Sequence, residues 1–231
     1  IAGLAGRTAQ AVAEAEAARC AGYHAGLLSL AAMKGADEDA LIAHCEAVAA
    51  VMPLVGFYLQ PAVGGIELPV RFWRRFAAID NVIAIKMAPF NRYRTLDVIR
   101  GVVEAGAEER ITLYTGNDDH IVLDLLAPFV VRRGQHDVKV HIQGGLLGHW
   151  GVWTHAAVKL FQEAQSAAKQ PAVDARWLER AVAVTDMNAA LFDAANRFHG
   201  CIPGILEVLS LYDLMANLGL TQVEDLLKVP T

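Results

Sequence analysis

Several things are missing from this 231-residue chain, and each absence narrows what it can be. No stretch reaches the roughly 18 uninterrupted apolar residues of a membrane span, so we expect no membrane partner. The chain opens on Ile1 without a basic segment ahead of an apolar one, and we expect no secretory signal. Only three cysteines occur, Cys20, Cys45 and Cys201, scattered and without metal-ligand spacing. That excludes a disulfide framework and favours a reducing, cytoplasmic setting. Net charge is −5 with both signs interspersed, which argues against a nucleic-acid surface. No G-x-G-x-x-G follows a strand and no G-x-x-x-x-G-K-[ST] occurs, so the glycine turns of nucleotide-binding sheets are absent.

What is present is core. Hydrophobic residues make up 55% of the chain and charged residues 19%, enough for one large domain. The most informative run is Asn81 to Pro89. Val82-Ile83-Ala84-Ile85 is a continuous apolar, largely β-branched strand, as expected of a parallel sheet covered by helices. It runs into Lys86. A lysine at the C-terminal end of such a strand points to where barrel active sites form. Burial there lowers its pKa, and a neutral amine can attack a carbonyl.

Around this run the chain alternates. Helices are predicted over residues 7–21, 36–51, 69–79, 95–105 and 121–131. Strands are predicted over 25–30, 54–59, 111–115 and 138–142, with Ile1 to Gly6 reading as the end of another. From about 156 onward only helices are predicted: 158–167, 174–196 and 204–218, with Pro171 and Pro203 between them. Strand–helix alternation with short connections implies parallel βαβ units. We expect two parts, barrel strands with their helices over 1–155 and C-terminal helices packed on the barrel over 156–231.

Three strand ends carry a resemblance. Phe57-Tyr58-Leu59-Gln60-Pro61 resembles a Tyr-Asn-x-Pro motif, Ala84-Ile85-Lys86 a Gly-Ile-Lys motif, and Thr115-Gly116-Asn117-Asp118-Asp119 a Ser-Gly-Asp-Asp turn. Their order resembles the dihydrodipicolinate synthase / N-acetylneuraminate lyase family, class I Schiff-base aldolases. The resemblance implies an α/β fold, a (β/α)8 TIM barrel lacking its first two βα units in this chain, with a C-terminal helical extension. It therefore implies further residues ahead of Ile1. It implies that Lys86 forms an imine with a 2-oxo acid or aldehyde and that Tyr58 shuttles the proton. Gly116 resembles the glycine where backbone meets substrate, and Val140 the position whose carbonyl faces the lysine.

The departures from the family pattern are specific. The Gly-x-Thr-Thr-Gly-Glu motif that holds the 2-oxo acid carboxylate is absent. Ala31-Ala32-Met33 stands where the family often has Pro-Tyr-Tyr. Val63 occupies the place of an arginine that binds the second carboxylate in dihydrodipicolinate synthases. Valine cannot form a charge-assisted pair. We therefore expect a lyase, aldolase or dehydratase other than dihydrodipicolinate synthase, with no cofactor, acting as a homo-oligomer (dimer or tetramer).

Further side chains join the candidates. His141 alternates with Val140 and Ile142 and so is expected to face the barrel interior, with Gln143 as a second substrate contact. Arg92 or Arg94 in the loop after Lys86 could hold a carboxylate. Asp118, Asp119 and His141, with His120, His149 and His155 nearby, raise a rival expectation, a metal-dependent lyase or hydrolase. Asp118 and Asp119 could instead cap the next helix. A third expectation is a non-catalytic barrel relative.

Overall fold

The computed structural model describes residues 1–146 and 148–217. Six parallel strands form one sheet: β1 (Ala2–Leu4), β2 (Gly26–Leu28), β3 (Leu54–Leu59), β4 (Val82–Ala88), β5 (Thr112–Thr115) and β8 (Gly144–Gly145), in that spatial order. Helices α1 (Thr8–Cys20), α2 (Glu38–Ala49), α3 (Val70–Ala77), α4 (Arg92–Glu104) and α5 (Ile121–Leu126) connect them. This is the run of βα units expected of barrel strands three to eight. Residues 218–231, assigned above with the C-terminal helices, lie outside the described residues. Among the described residues no helix is long and apolar enough to cross a membrane.

Strand alternation divides the chain's apolar residues between two faces. Leu28, Leu54, Tyr58, Ile85, Met87 and Leu113 belong to the main core, with Val98, Ile99, Val102 and Val103 of α4 and Phe72, Trp73 and Phe76 of α3. Ala25, Val55 and Ala84 form a small cluster of their own on the other face, with Leu27 and Tyr114 against it. Local signals place the helices. Asp37 caps α2 by accepting from the Ala40 N–H at 2.8 Å, and Glu38 and Asp39 of its first turn pair with Arg71 and Arg75. Asn91 caps α4 by accepting from the N–H groups of Tyr93 and Arg94, so that helix begins three residues before the predicted Thr95.

Two expectations in the middle of the chain are corrected. The helix predicted over 121–131 ends at Leu126, because Pro128 forces Ala127 into an extended conformation (φ −74°, ψ 130°). The strand predicted over 138–142 is no barrel strand. Instead β6 (Phe129–Arg133) and β7 (His136–Val140) form an antiparallel hairpin. Its two-residue loop uses Gly134 at φ +61°. The sixth parallel strand is Gly144–Gly145, paired with Tyr114 and Thr115. A side chain at Gly144 would strike the Tyr114 ring at 3.0 Å, so this strand is kept bare.

The C-terminal part comprises α6 (Gly148–Val152), α7 (Thr154–Ala167), α8 (Arg176–Leu191) and α9 (Cys201–Asn217). Leu160, Ala164 and Trp177 join the main core. Helix α8 stops five residues short of the predicted Asn196. Asp193 takes a left-handed conformation (φ 55°), and its carboxylate accepts from Asn196 Nδ2 and the Gly200 N–H. Pro203 sits in the first turn of α9, where its missing N–H breaks no intrahelical bond.

Close approach of α3 and α4 yields a stability test. A Cβ at Gly101 would lie 2.8 Å from the backbone of Trp73 and Arg74. Gly101→Ala would gain about 1 kcal/mol of helix propensity elsewhere on a helix. Here overpacking dominates, and we expect a net loss of about 1–2 kcal/mol. A lower urea midpoint at unchanged slope is the expected readout.

Candidate active site

Lys86 lies on β4 in register with Phe57 on one side and Tyr114 on the other. Its ammonium sits 4.5 Å from the centre of the Phe57 ring. It opens into a cavity of about 250 Å³ at the C-terminal ends of the parallel strands. Phe57, Leu59, Gln60 and Val63 come from β3 and its loop, Ala88 and Phe90 from the end of β4, Gly116 and Asp118 from the β5 loop, and Leu146 follows β8. Phe192 and Phe198, from the turn between α8 and α9, and Cys201, which opens α9, close the other side. Gly116 is needed for space. A Cβ there would fall 3.0 Å from Lys86 Cε and 2.9 Å from Ala88 Cβ.

Burial dominates the electrostatics. It lowers the Lys86 pKa, and the charge of Asp118 only partly opposes this. It also pushes the Asp118 carboxyl up to about 7, with Lys86 acting in the opposite direction. No ion pair joins the two among the described residues. Asp118 Oδ1 is buried without a hydrogen-bond partner, a costly state unless the group is neutral or has a task. Asp118 does not cap α5, since His120 is the N-cap and makes no side-chain cap bond. Its backbone is held instead: Asn188 Nδ2 donates to the Asp118 carbonyl at 2.9 Å, and Thr185 to that of Asp119 at 3.0 Å.

Beneath this loop lies a buried polar cluster. Asp124, 1% exposed, accepts from Thr115 Oγ1 at 2.6 Å and Asn117 Nδ2 at 3.1 Å, and pairs with Arg92. Asn117 Oδ1 accepts from the Phe90 N–H at 3.1 Å. Arg92 is thus committed to Asp124, and Arg94 to Glu67 and Asp97. Neither lines the cavity.

Other candidates from the sequence fall elsewhere. Tyr58 projects to the helix side of β3, one residue out of phase with Lys86. Its ring meets that of Trp73 at a tilt of 44° with centroids 5.1 Å apart, and its hydroxyl accepts from the Leu68 N–H at 3.2 Å. The expected shuttle is therefore corrected: Phe57, not Tyr58, shares a face with the lysine. Val140, His141 and Gln143 precede β8, on the N-terminal side of its pairing with β5, and do not line the cavity. Val140 instead pairs with Phe129 in the hairpin. Asp118, Asp119 and His141 do not come together, and no group of three potential metal ligands exists among the described residues. The sequence reading missed Phe90, Phe192 and Phe198. A left-handed backbone at Phe90 and Phe198 has no clear sequence signal.

With this geometry in hand, the fold can be placed. Solved structures match the chain along most of its length. Dihydrodipicolinate synthase from Aquifex aeolicus superposes with a TM-score of 0.64 over 91% of this chain and 62% of that one, at 18% identity. The dihydrodipicolinate synthase of Agrobacterium tumefaciens gives 0.59 over 95% and 64%, at 22% identity. A Sulfolobus 2-keto-3-deoxygluconate aldolase in complex with D-KDPG gives 0.57 over 87% and 58%, at 14% identity. The chain shares the fold of the matched parts of these proteins. It spans about three fifths of their length. No family model matches it, and no curated protein does.

The raised Asp118 pKa has a consequence for stability. The carboxyl titrates near 3.8 when unfolded and near 7 when folded. A raised folded pKa favours the fold at low pH, and this contribution is lost as pH rises from about 4 through 7. Asp118→Asn removes the buried charge. Its melting temperature should exceed the wild type by about 5 °C at pH 8.5, with the gap shrinking toward pH 4. An equal gap at both pH values would contradict the assignment.

Proposed function

We propose that this chain carries the reactive lysine of a class I lyase, aldolase or dehydratase, in which Lys86 forms an imine with a carbonyl substrate and Asp118 moves the protons. The observation that carries this reading is the sharing of one cavity, at the C-terminal ends of parallel strands, by the half-buried Lys86 amine and the half-buried Asp118 carboxyl, whose Oδ1 has no hydrogen-bond partner among the described residues. The aldolase-type fold supports it.

The chemistry follows from the two groups. Neutral Lys86 adds to the carbonyl carbon and gives a carbinolamine. Protonated Asp118 donates to its hydroxyl, water leaves, and a protonated imine remains. That cation accepts the electron pair released when a C–C bond breaks or an α-proton departs, and the Asp118 carboxylate is placed to take a proton. Hydrolysis reverses the addition and restores both groups. A 2-oxo acid or an aldehyde would serve as the carbonyl compound. Exposed Ile202, Leu206 and Leu209 on α9 support the expected assembly of copies.

Borohydride reduction in the presence of small carbonyl compounds should fix a mass on the peptide carrying Lys86, and Lys86→Arg should abolish it. A competent site needs a neutral amine and a protonated carboxyl. Its rate should therefore peak between about 7, where Asp118 titrates, and the lowered pKa of Lys86. Asp118→Asn should slow imine formation roughly 100-fold, as for loss of a general acid, and leave a single rising limb. Tyr58→Phe should change the trapping rate less than about twofold, and cost about 1 kcal/mol of stability through its lost hydrogen bond. A trapping defect in Tyr58→Phe matching that of Asp118→Asn would return the shuttle to the tyrosine. Absence of any adduct at Lys86 across 2-oxo acids, aldehydes and ketones would end the imine reading.

A further inference from the structure

A second cavity opens among the helices. It has a volume of about 540 Å³ and shares no lining residue with the cavity at Lys86. Its walls come from the start of α4, from α5, from the turn into β6 and from the start of α8. The strands that precede α4 and α5 are β4 and β5, and each is paired on both sides, in the order β3-β4-β5-β8. The cavity therefore lies against a part of the wall whose strand neighbours are all in place.

Its walls are apolar and held firmly. Leu123, Leu126, Pro128, Phe129, Trp177 and Leu178 contribute to them. Pro128 stiffens the chain between α5 and the hairpin, and Phe129 is held by its pairing with Val140. Trp177 belongs to the main core, with the Arg180 guanidinium 4.5 Å from its ring centre. A preformed apolar space with a few placed polar groups is the usual form of a small-molecule site.

The polar groups of this lining are specific. Arg92 gives Nη1 to Asp124, and its Nε is buried, so Nη2 is the donor left for a ligand. Burial lowers the pKa of His120, and its ring is uncharged near pH 7. Two carboxylates, Asp124 and Asp174, stand against the one guanidinium. An anionic ligand would bring a third negative charge into a partly desolvated space. A neutral oxygen acceptor would satisfy Nη2 and add no charge.

We infer that this cavity binds a small uncharged molecule with an aromatic or branched apolar body and one carbonyl-type oxygen, which accepts a hydrogen bond from Arg92. The inference does not rest on the imine reading. Arg92 also pairs with Asp124, so the ligand touches the cluster beneath the Asp118 loop.

N-benzylacetamide is the probe, because an amide carbonyl forms no imine with Lys86. Its binding to the full chain is followed by saturation-transfer NMR, with 3-phenylpropanoate as an anionic comparison of similar size. The expected result is saturable binding of the amide, about tenfold tighter than that of the carboxylate. Ala175→Trp sets a ring at the cavity from an exposed position and should weaken the amide about tenfold or more by blocking it. Leu178→Trp, at a second exposed position of the lining, should do the same and guards against misfolding of the first variant. The Arg92 guanidinium protons should shift on titration with the amide. Tighter binding of 3-phenylpropanoate would overturn the uncharged class. Unchanged amide binding in both tryptophan variants, or its loss in Lys86→Arg, would put the probe elsewhere and overturn the location. Shifts confined to other arginines would overturn the Arg92 contact, and no saturable binding of either compound would overturn the site.

Discussion

The Asp124 carboxylate, almost wholly buried, takes hydrogen bonds from Thr115 and Asn117 and pairs with Arg92. A charge in such a place is tolerated only when its partners are complete, and breaking one partner of a buried pair costs several kcal/mol. Its partners are not neighbours in sequence. Arg92 begins α4, after the lysine strand, while Thr115 and Asn117 end β5. The carboxylate therefore adds a side-chain tie between two strand-end loops whose strands already pair side by side. One loop carries Phe90 and the other Gly116 and Asp118. Through Asn117 the same cluster holds the Phe90 N–H and the Thr95 hydroxyl. The position of Asp118 relative to Lys86 depends on this buried cluster and on the α8 bonds to its backbone, because among the described residues its side chain makes no hydrogen bond.

The strand that bears Lys86 was legible because both parts of its signal are local. An apolar β-branched run makes the strand, and a lysine at its end breaks the pattern. The faces of the neighbouring strand were not legible in the same way. Phe57 and Tyr58 are adjacent, aromatic and of similar size, and motif resemblance favours the tyrosine. Pairing decides otherwise: Phe57 is level with Lys86, and side chains alternate at every residue, so Tyr58 must point to the helices. There the Leu68 backbone satisfies its hydroxyl. A shift of one residue exchanges a candidate proton shuttle for an apolar ring.

Other parts were hidden for different reasons. Gly144 and Gly145 carry none of the apolar alternation by which strands are recognised, yet they pair with β5 to complete the parallel sheet, and at Gly144 the Tyr114 ring occupies the space a side chain would need. Residues 138–140 do alternate, and they form a strand, but Pro128 and Gly134 turn that strand into a hairpin. Residues 192–196, the first part of the turn, read as helix in the sequence. The helix breaks because Asp193 supplies two hydrogen bonds that a helix could not offer, and this break delivers Phe192 and Phe198 to the cavity.

The apolar lining around Lys86 and the proposed proton chemistry require each other. In water an amine and a carboxyl at neutral pH are both charged, and neither the nucleophile nor the acid of imine formation exists in quantity. Burial penalises both charges, lowering the lysine pKa and raising that of Asp118 to about 7. The ionic and neutral forms of the pair thereby approach each other in free energy. A direct ion pair would undo this, since contact between unlike charges in a low dielectric favours the ionic form. The Asp124 cluster and α8 hold the Asp118 loop by its neighbours and its backbone, without pairing its side chain to the lysine. In the proposed reading, the phenylalanines of the lining limit water at Lys86 and so favour the neutral forms on which imine formation depends.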